Sequence, residues 1–319
     1  MKNNFKNIFI TGGAGFIGSH VSEAFFNNFK KSKIVILDKL TYAGNKAFLS
    51  SIINSKRVKF IKGDIINTKK YSKYLNNCDL AINIAAESHV DNSFISPLNF
   101  TKTNTLGAHA FFLECIKNKV KKILHISSDE VYGEKTKGTS YEDQLVNPTN
   151  PYSASKAAAE ILINSYKYTY KKEIIIVRAN NIYGIRQYPE KLISTSIVNL
   201  IKNKPIPIHG NGRNIRFYLS AIDFAKALII LVKKRNSGTF NIGSNYYEKN
   251  INIAKIICKL FKKSSKKYIT FTKDRLYNDK RYSVSSKKMR KLGWRPKRKL
   301  AKDLPMIIEW YRKQYKIFK

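Results

Sequence analysis

Residues 7–20, NIFITGGAGFIGSH, place a short apolar run directly before four glycines and then an amphipathic stretch. The run NIFIT reads as a strand and residues 16–30 as a helix, which puts the glycines in the tight turn between them. Gly12, Gly15 and Gly18 give G-x-x-G-x-x-G, and Gly13 adds a G-x-G-x-x-G register. A turn without side chains lets the backbone approach a pyrophosphate at the positive end of the following helix. Glycine turns are common, so the context decides. The next apolar run, KIVILD, ends in Asp38, 20 residues past Gly18, where a carboxylate can take the 2′-hydroxyl of an adenosine ribose. The spacing predicts a bound dinucleotide, and the acid predicts NAD rather than NADP.

The alternation continues outward from that turn. VKFIKGD, LAINIAA, KILHISS and EIIIVRA are further apolar runs, separated by amphipathic stretches at 68–77, 96–119 and 151–171. Nearly continuous apolar runs fit strands buried on both faces of a parallel sheet. The expected class is therefore α/β, a Rossmann-type doubly wound parallel sheet with a smaller mixed α/β C-terminal substrate domain. Beyond residue 178 the rhythm loosens into NIYGIRQYPEKL and KPIPIHGNGRNI, loops rich in Pro, Gly and Asn that could line a site. Helices are expected over 190–203, 220–235, 248–263 and 300–315, and short strands at TFNI and YITF. A chain of 319 residues accommodates two such units. We expect one over 1–178, with a returning segment near 217–242, and the other over 179–319.

Lys and Arg number 60 against 21 Asp and Glu, a formal net charge of +39. The basic residues are scattered rather than gathered in a block. Lys, Asn and Ile all have A/T-rich codons and are all abundant, so genome bias explains the charge without a nucleic-acid partner. A positive protein also attracts anionic small molecules. Cys78, Cys115 and Cys258 are widely spaced and form no C-x-x-C pair, which argues for reduced core thiols rather than disulfides or a metal site. No segment approaches 18 uninterrupted apolar residues, so a cytoplasmic protein with no membrane partner is expected.

Two further stretches carry chemistry. PYSASK, residues 151–156, opens an expected helix and sets Tyr152 and Lys156 four apart on one face. An ammonium beside a phenol stabilises the phenolate, so the spacing predicts a lowered Tyr152 pKa and a general base. Y-x-x-x-K arises by chance in a lysine-rich chain, but here Ser128, at the end of KILHISS, can complete a Ser, Tyr, Lys trio. SSDEVYG, residues 127–133, then sets Asp129 and Glu130 side by side at a strand tip, where ligands of open α/β sheets bind. The alternative is a turn cap before VYG. Asp64, in KGDI, could accept a hydrogen bond from adenine or serve as a turn residue.

TGGAGFIGSH, LDKLTYAGN, GDI, AAESHVD, SSDEVYG, PYSASKA, YPEKLI and LGWRP together resemble the extended short-chain dehydrogenase/reductases that act on nucleotide sugars, over nearly the whole chain. Within that superfamily, LDKLTYAGN, AAESHVD, DEVYG and PEKLI are similar to the nucleoside-diphosphate-glucose 4,6-dehydratases. The resemblance implies a lyase that converts dTDP-glucose to the 4-keto-6-deoxy product with NAD as a recycled hydride store, and a homodimer formed through the helices at 96–119 and 151–171. It implies that Glu130 is the base at C5 and Asp129 the acid at the C6 oxygen, alongside Ser128, Tyr152 and Lys156. Neighbouring carboxylates should have pKa values pushed apart, which suits that division.

By the same resemblance, Gly12, Gly15, Phe16, Ile17 and Gly18 would touch NAD. So would Asp38, Lys39, Leu40, Thr41, Asp64, Ile65, Ala85, Ala86, Ser88 and Thr103, together with Tyr152 and Lys156. Ser88, Ser128, Asn181, Lys191, Leu192, Pro207, Ile208, His209 and Arg216 would hold the sugar nucleotide. His89 and His125 are read as structural. Three departures stand out: the family's usual Thr is Ser128, its Arg-Asp-Trp is Arg216-Phe217-Tyr218, and its Asp-Arg-Pro-Gly-His is Asp274-Arg275-Leu276-Tyr277-Asn278. The last two belong to nucleotide recognition and leave dTDP and UDP both open. A UDP-sugar 4-epimerase is the near alternative, and a non-catalytic basic dinucleotide-binding protein the distant one.

Overall fold

The computed structural model describes residues 5–170, 172–234 and 236–318. Residues 171 and 235, at the ends of two expected helices, lie outside that set. In chain order, β1 (Asn7–Thr11) leads into α1 (Phe16–Asn28), followed by β2 (Lys33–Asp38), β3 (Val58–Lys62) and β4 (Leu80–Asn83). Two short helices, α2 (Val90–Ile95) and α3 (Pro97–Phe100), precede a π-helical turn, Thr101–Gly107, that runs into α4 (Ala108–Lys117). Then come β5 (Lys122–Ser128), α5 (Pro151–Tyr170), β6 (Glu173–Ala179), β7 (Asn181–Tyr183), α6 (Leu192–Ile201) and β8 (Ile206–His209). β9 (Ile215–Ser220), α7 (Ala221–Lys233), β10 (Gly238–Ile242), β11 (Tyr247–Lys249) and α8 (Asn250–Leu260) follow. The last are α9 (Ser265–Tyr268), β12 (Ile269–Thr272), α10 (Lys287–Lys291) and α11 (Leu300–Gln314).

Seven strands form one sheet in the order β10-β6-β5-β4-β1-β2-β3, and every pairing in it is parallel. This is the Rossmann-type doubly wound architecture. The order reverses between β1 and β4, which opens a crevice at the carboxyl ends of those strands. All residues of β4 and β5 are buried, as their continuous apolar runs require. One core layer packs α1 and α7 on one face of the sheet, through Phe25, Phe224 and Leu228. The other face packs α4 and α5 through Phe111, Phe112 and Ile163. A separate apolar cluster joins α6, α8 and α11 with β8, around Ile197, Ile257 and Leu304. A three-stranded sheet, β11-β9-β7, and the pair β12-β8 complete this smaller lobe. No helix among the described residues is long and apolar enough to cross a membrane.

Two expected helices take other forms. Residues 68–77 fold as two 3-10 turns, Thr68–Lys70 and Ser72–Tyr74. Only Tyr71 and Leu75 of that segment are buried, too narrow a stripe to hold a helix on the sheet. The stretch 96–119 is broken by its π turn, which turns Asn104 fully inward. Asn104 Oδ1 accepts from Glu87 N at 2.8 Å, and its Nδ2 donates to Ser155 Oγ at 2.9 Å, which ties the turn to the first turns of α5. Such π insertions concentrate at functional sites.

Candidate active site

The turn after β1 shows why the glycines stand where they do. Gly12 has φ +66°, and a Cβ on it would lie 2.6 Å from Ala85 N, at the tip of β4. A Cβ on Gly18 would meet Gly12 O at 1.9 Å, so α1 can leave the sheet only if that position is bare. Gly15 is the N-cap of α1, without a side-chain cap or an acid in the first turn. Its leading N–H groups therefore remain for an anion. Asp38 Oδ2 accepts from Ala14 N and Oδ1 from Leu40 N, both at 2.8 Å, which pins the carboxylate at the edge of the turn. Burial pushes its pKa up, against these backbone donors.

This turn forms one wall of a cleft of about 570 Å³ that runs between the large sheet and the smaller lobe. Every residue expected at the site lines it except Leu40, which packs on the core with φ +56°. Asp64 pairs with Lys39 at 2.8 Å on the dinucleotide side. The wall has the form a dinucleotide needs: bare turn, uncapped helix start and a fixed acid.

At the carboxyl end of β5 the chain turns sharply. Ser128 Oγ accepts from Glu130 N at 3.2 Å and so caps the 3-10 turn Asp129–Tyr132, which buries both carboxylates. The two acids then diverge. Asp129 Oδ2 accepts from Asn180 Nδ2 at 2.7 Å, while its Oδ1 lies 3.4 Å from Ser128 Oγ. Glu130 Oε2 accepts from Asn150 Nδ2 at 3.3 Å and lies 3.5 Å from the Tyr282 hydroxyl, which donates its proton to Asp279. Burial, helped by the adjacent Glu130, pushes the Asp129 pKa up to about 7.

The α5 residues differ from expectation. Tyr152 hydrogen-bonds Ser128, so two of the three expected groups meet. Its pKa is nevertheless pushed up, first by burial and then by Glu130 and Asp129, with only Ser128 pulling the other way. The lowering predicted from Lys156 is absent because that ammonium turns to the Ile126 carbonyl, 2.6 Å away. Burial pushes the Lys156 pKa down to about 8, against the charge of Glu160 one turn along.

The opposite wall is built by side chains. Lys191 Nζ donates to Ser88 O at 2.8 Å. Arg216 donates to Asn278 Oδ1 at 3.1 Å, and its guanidinium stacks 4.9 Å from the Tyr282 ring centroid. Arg275 pairs with Asp91 at 2.6 Å across the cleft. Asn181 Nδ2 is buried in the wall without a partner among the described residues, which points to an acceptor supplied by a ligand. His89 lines the cleft, whereas His125 lies within the sheet with Nδ1 3.1 Å from Asn83 Nδ2.

Sequence reasoning passed over Asn150, Asn180, Asp279 and Tyr282. Asn150 had a readable signal, since it precedes the helix PYSASK and its Oδ1 caps Ser153 N at 2.9 Å. Tyr282 reaches Glu130 across 152 residues of chain and had none.

A doubly wound parallel sheet with a glycine turn, and Ser, Tyr and Lys gathered at its carboxyl edge, define an extended short-chain dehydrogenase/reductase. A family model described as GDP-mannose 4,6 dehydratase matches residues 9–306, and the chain belongs to that family. It is 40% identical over 313 residues to a trifunctional UDP-glucose 4,6-dehydratase/UDP-4-keto-6-deoxy-D-glucose 3,5-epimerase/UDP-4-keto-L-rhamnose-reductase of Arabidopsis thaliana, covering 96% of this chain and 47% of the plant protein. The chain thus spans about half the length of that relative. It is 37% identical to the dTDP-D-glucose 4,6-dehydratase of Homo sapiens, covering 97% of this chain and 91% of the human one. Among solved structures, the dTDP-glucose 4,6-dehydratase of Streptomyces venezuelae, crystallised with NAD bound, superposes with a TM-score of 0.95 at 32% identity, covering 98% of this chain and 100% of the other.

Proposed function

We propose that the protein is an NAD-dependent 4,6-dehydratase of a nucleoside-diphosphate glucose, converting dTDP-glucose to dTDP-4-keto-6-deoxyglucose and water. The observation that carries this reading is the buried pair Asp129 and Glu130 at the β5 tip, in different hydrogen-bonded settings beside Ser128 and Tyr152. Oxidation and re-reduction at C4 alone, as in an epimerase, use no second acid and base. Elimination across C5 and C6 uses both.

Gly12 to Gly18, Asp38, Asp64 and Thr103 would hold NAD, whose nicotinamide would supply a hydride acceptor at C4 and a hydride donor at C6. Tyr152, supported by the Ser128 hydroxyl, takes the proton of the C4 hydroxyl. Burial, Glu130 and Asp129 hold its pKa up, and the positive charge of an oxidised nicotinamide would oppose them. Glu130 then removes the C5 proton, made acidic by the C4 ketone, and Asp129 donates its proton to the C6 oxygen, which leaves as water. Glu130 returns its proton to C5 as C6 is reduced, and the proton that Tyr152 took from the C4 hydroxyl is balanced by the one that Asp129 regains, so no net redox occurs. A carboxyl whose pKa burial pushes up to about 7 keeps its proton well above the ordinary carboxylate range, which suits the donor role.

Arg216, Lys191 and Asn181 would hold the diphosphate and sugar. UDP-glucose is the second substrate reading, favoured by the 40% identity to the plant enzyme. We read residues 1–178, with a return near 217–242, as the NAD-binding domain and 179–319 as the sugar-nucleotide domain. In the same reading the enzyme is cytoplasmic and works as a homodimer. Ile95, Leu98 and Ile161, which are 79%, 80% and 61% exposed on α2, α3 and α5, support an apolar face for a second copy. The decisive experiment incubates the protein with dTDP-glucose or UDP-glucose and follows the alkaline absorbance of the 4-keto product. We expect product from at least one of them. Equilibration of UDP-glucose with UDP-galactose, and no 4-keto product from either, would replace this reading by the epimerase.

A further inference from the structure

We infer that Asn180 is a positioning residue for Asp129: it fixes one oxygen of that carboxyl and favours its ionised form. The inference rests on the proposed role of Asp129 as the acid of the elimination.

Asn180 lies between β6 and β7 and is 3% exposed. Its side-chain oxygen accepts from Ser244 N at 3.1 Å, a backbone donor that determines which end of the amide is which. The amide nitrogen is thereby left facing Asp129 Oδ2, 2.7 Å away. Flipping the amide would set its N–H groups against Ser244 N–H and its oxygen against the carboxylate. The support comes from the end of β10, not from the turn that carries the acid. Asn180 N donates to Ile242 O at 3.2 Å, and Gly243 N donates to Ser286 Oγ at 2.7 Å. Gly243 is tight against the amide: a Cβ there would lie 2.3 Å from Asn180 Oδ1 and 2.9 Å from Val284 Cγ2. A glycine in this place leaves the amide room to aim at the acid.

The ionisable groups facing Asp129 are Glu130, Tyr152 and Arg216. Burial and Glu130 oppose its ionisation, while Asn180 favours it most among the opposing groups, ahead of Arg216 and Ser128. A neutral donor at short range can do this without adding a charge that would also grip Glu130. Removing it leaves the carboxyl holding its proton to higher pH.

The test labels aspartate carboxyls with carbon-13 in the full chain and titrates them by NMR, with Asp129→Asn identifying the Asp129 resonance. In Asn180→Leu, close in size but without the donor, the midpoint should move up by about one pH unit. In Gly243→Ala, which keeps the asparagine but crowds its amide, it should move in the same direction by less. The alkaline limb of the dehydration rate should follow, with KM unchanged, whereas a merely structural defect would change KM or dinucleotide affinity and leave the midpoint in place. A midpoint that stays or falls in both variants overturns the inference. If Asn180→Leu does not fold, Gly243→Ala decides alone. Should the midpoint move while wild-type protein dehydrates neither glucose nucleotide, the reaction assignment fails and the role of Asn180 toward Asp129 stands.

Discussion

The two walls of the cleft are made differently. The dinucleotide wall is mainly backbone: Gly12 N donates to Leu37 O at 2.8 Å, Ala14 N and Leu40 N grip Asp38, and α1 starts without a cap. Its parts come from the ends of neighbouring parallel strands. The opposite wall, which we propose holds the sugar, is mainly side chains brought from far apart. Arg275 meets Asp91 across 184 residues, Tyr282 approaches Glu130 across 152, and Asn180 reaches Asp129 across 51. A backbone wall can be kept by conserving a few small residues and an acid. A side-chain wall sets the chemistry and changes with each substitution.

The largest expected effect separates the walls. Glu130→Gln should slow dehydration by about 10²–10⁴-fold while dinucleotide affinity stays and bound cofactor is still reduced by substrate, read as absorbance of the reduced nicotinamide. Unimpaired dehydration would remove Glu130 from the base role, and lost dinucleotide affinity would show that the walls are not independent.

Next comes the stability consequence of the acid. The folded-state pKa of Asp129, about 7, lies above its ordinary 3.8, so the native state holds this proton more tightly than the unfolded chain. That contribution is fully present below pH 3.8 and is lost as pH rises through about 7. Asp129→Asn should therefore be more stable than wild type at pH 8, by on the order of a few kcal/mol, with the gap shrinking toward pH 4 in denaturant titrations. An equal gap at both pH values would mean that burial of the Asp129 charge does not cost the fold stability.

The smallest effect probes the backbone wall. Gly18→Ala should weaken dinucleotide binding by about 1–3 kcal/mol, since its Cβ must displace the Gly12 carbonyl, and should leave the Asp129 titration unchanged. Dinucleotide fluorescence titration reads it directly.

What could be read in the chain follows the same division. The glycine turn, the strand ends and the parallel sheet were legible because each depends on residues close in sequence and on burial of continuous apolar runs. The segment 68–77 was not, because its helical spacing hides only two buried side chains, Tyr71 and Leu75. In the site, SSDEVYG announced two acids and PYSASK a tyrosine and a lysine. The direction of the Tyr152 shift was misread, because four-residue spacing gives a shared face and says nothing about the Ile126 carbonyl that takes the Lys156 ammonium.

By itself the amino-acid sequence determined the doubly wound sheet, the dinucleotide turn and the set of reactive groups, since local conformation and burial pattern are written in neighbouring residues. Only the tertiary structure decided which carboxyl is held by Asn180 and which by Asn150, and hence how two adjacent acids differ. Their environments are supplied by β10, the start of α5 and the 279–282 segment, and a desolvated charge responds to what surrounds it in space rather than along the chain.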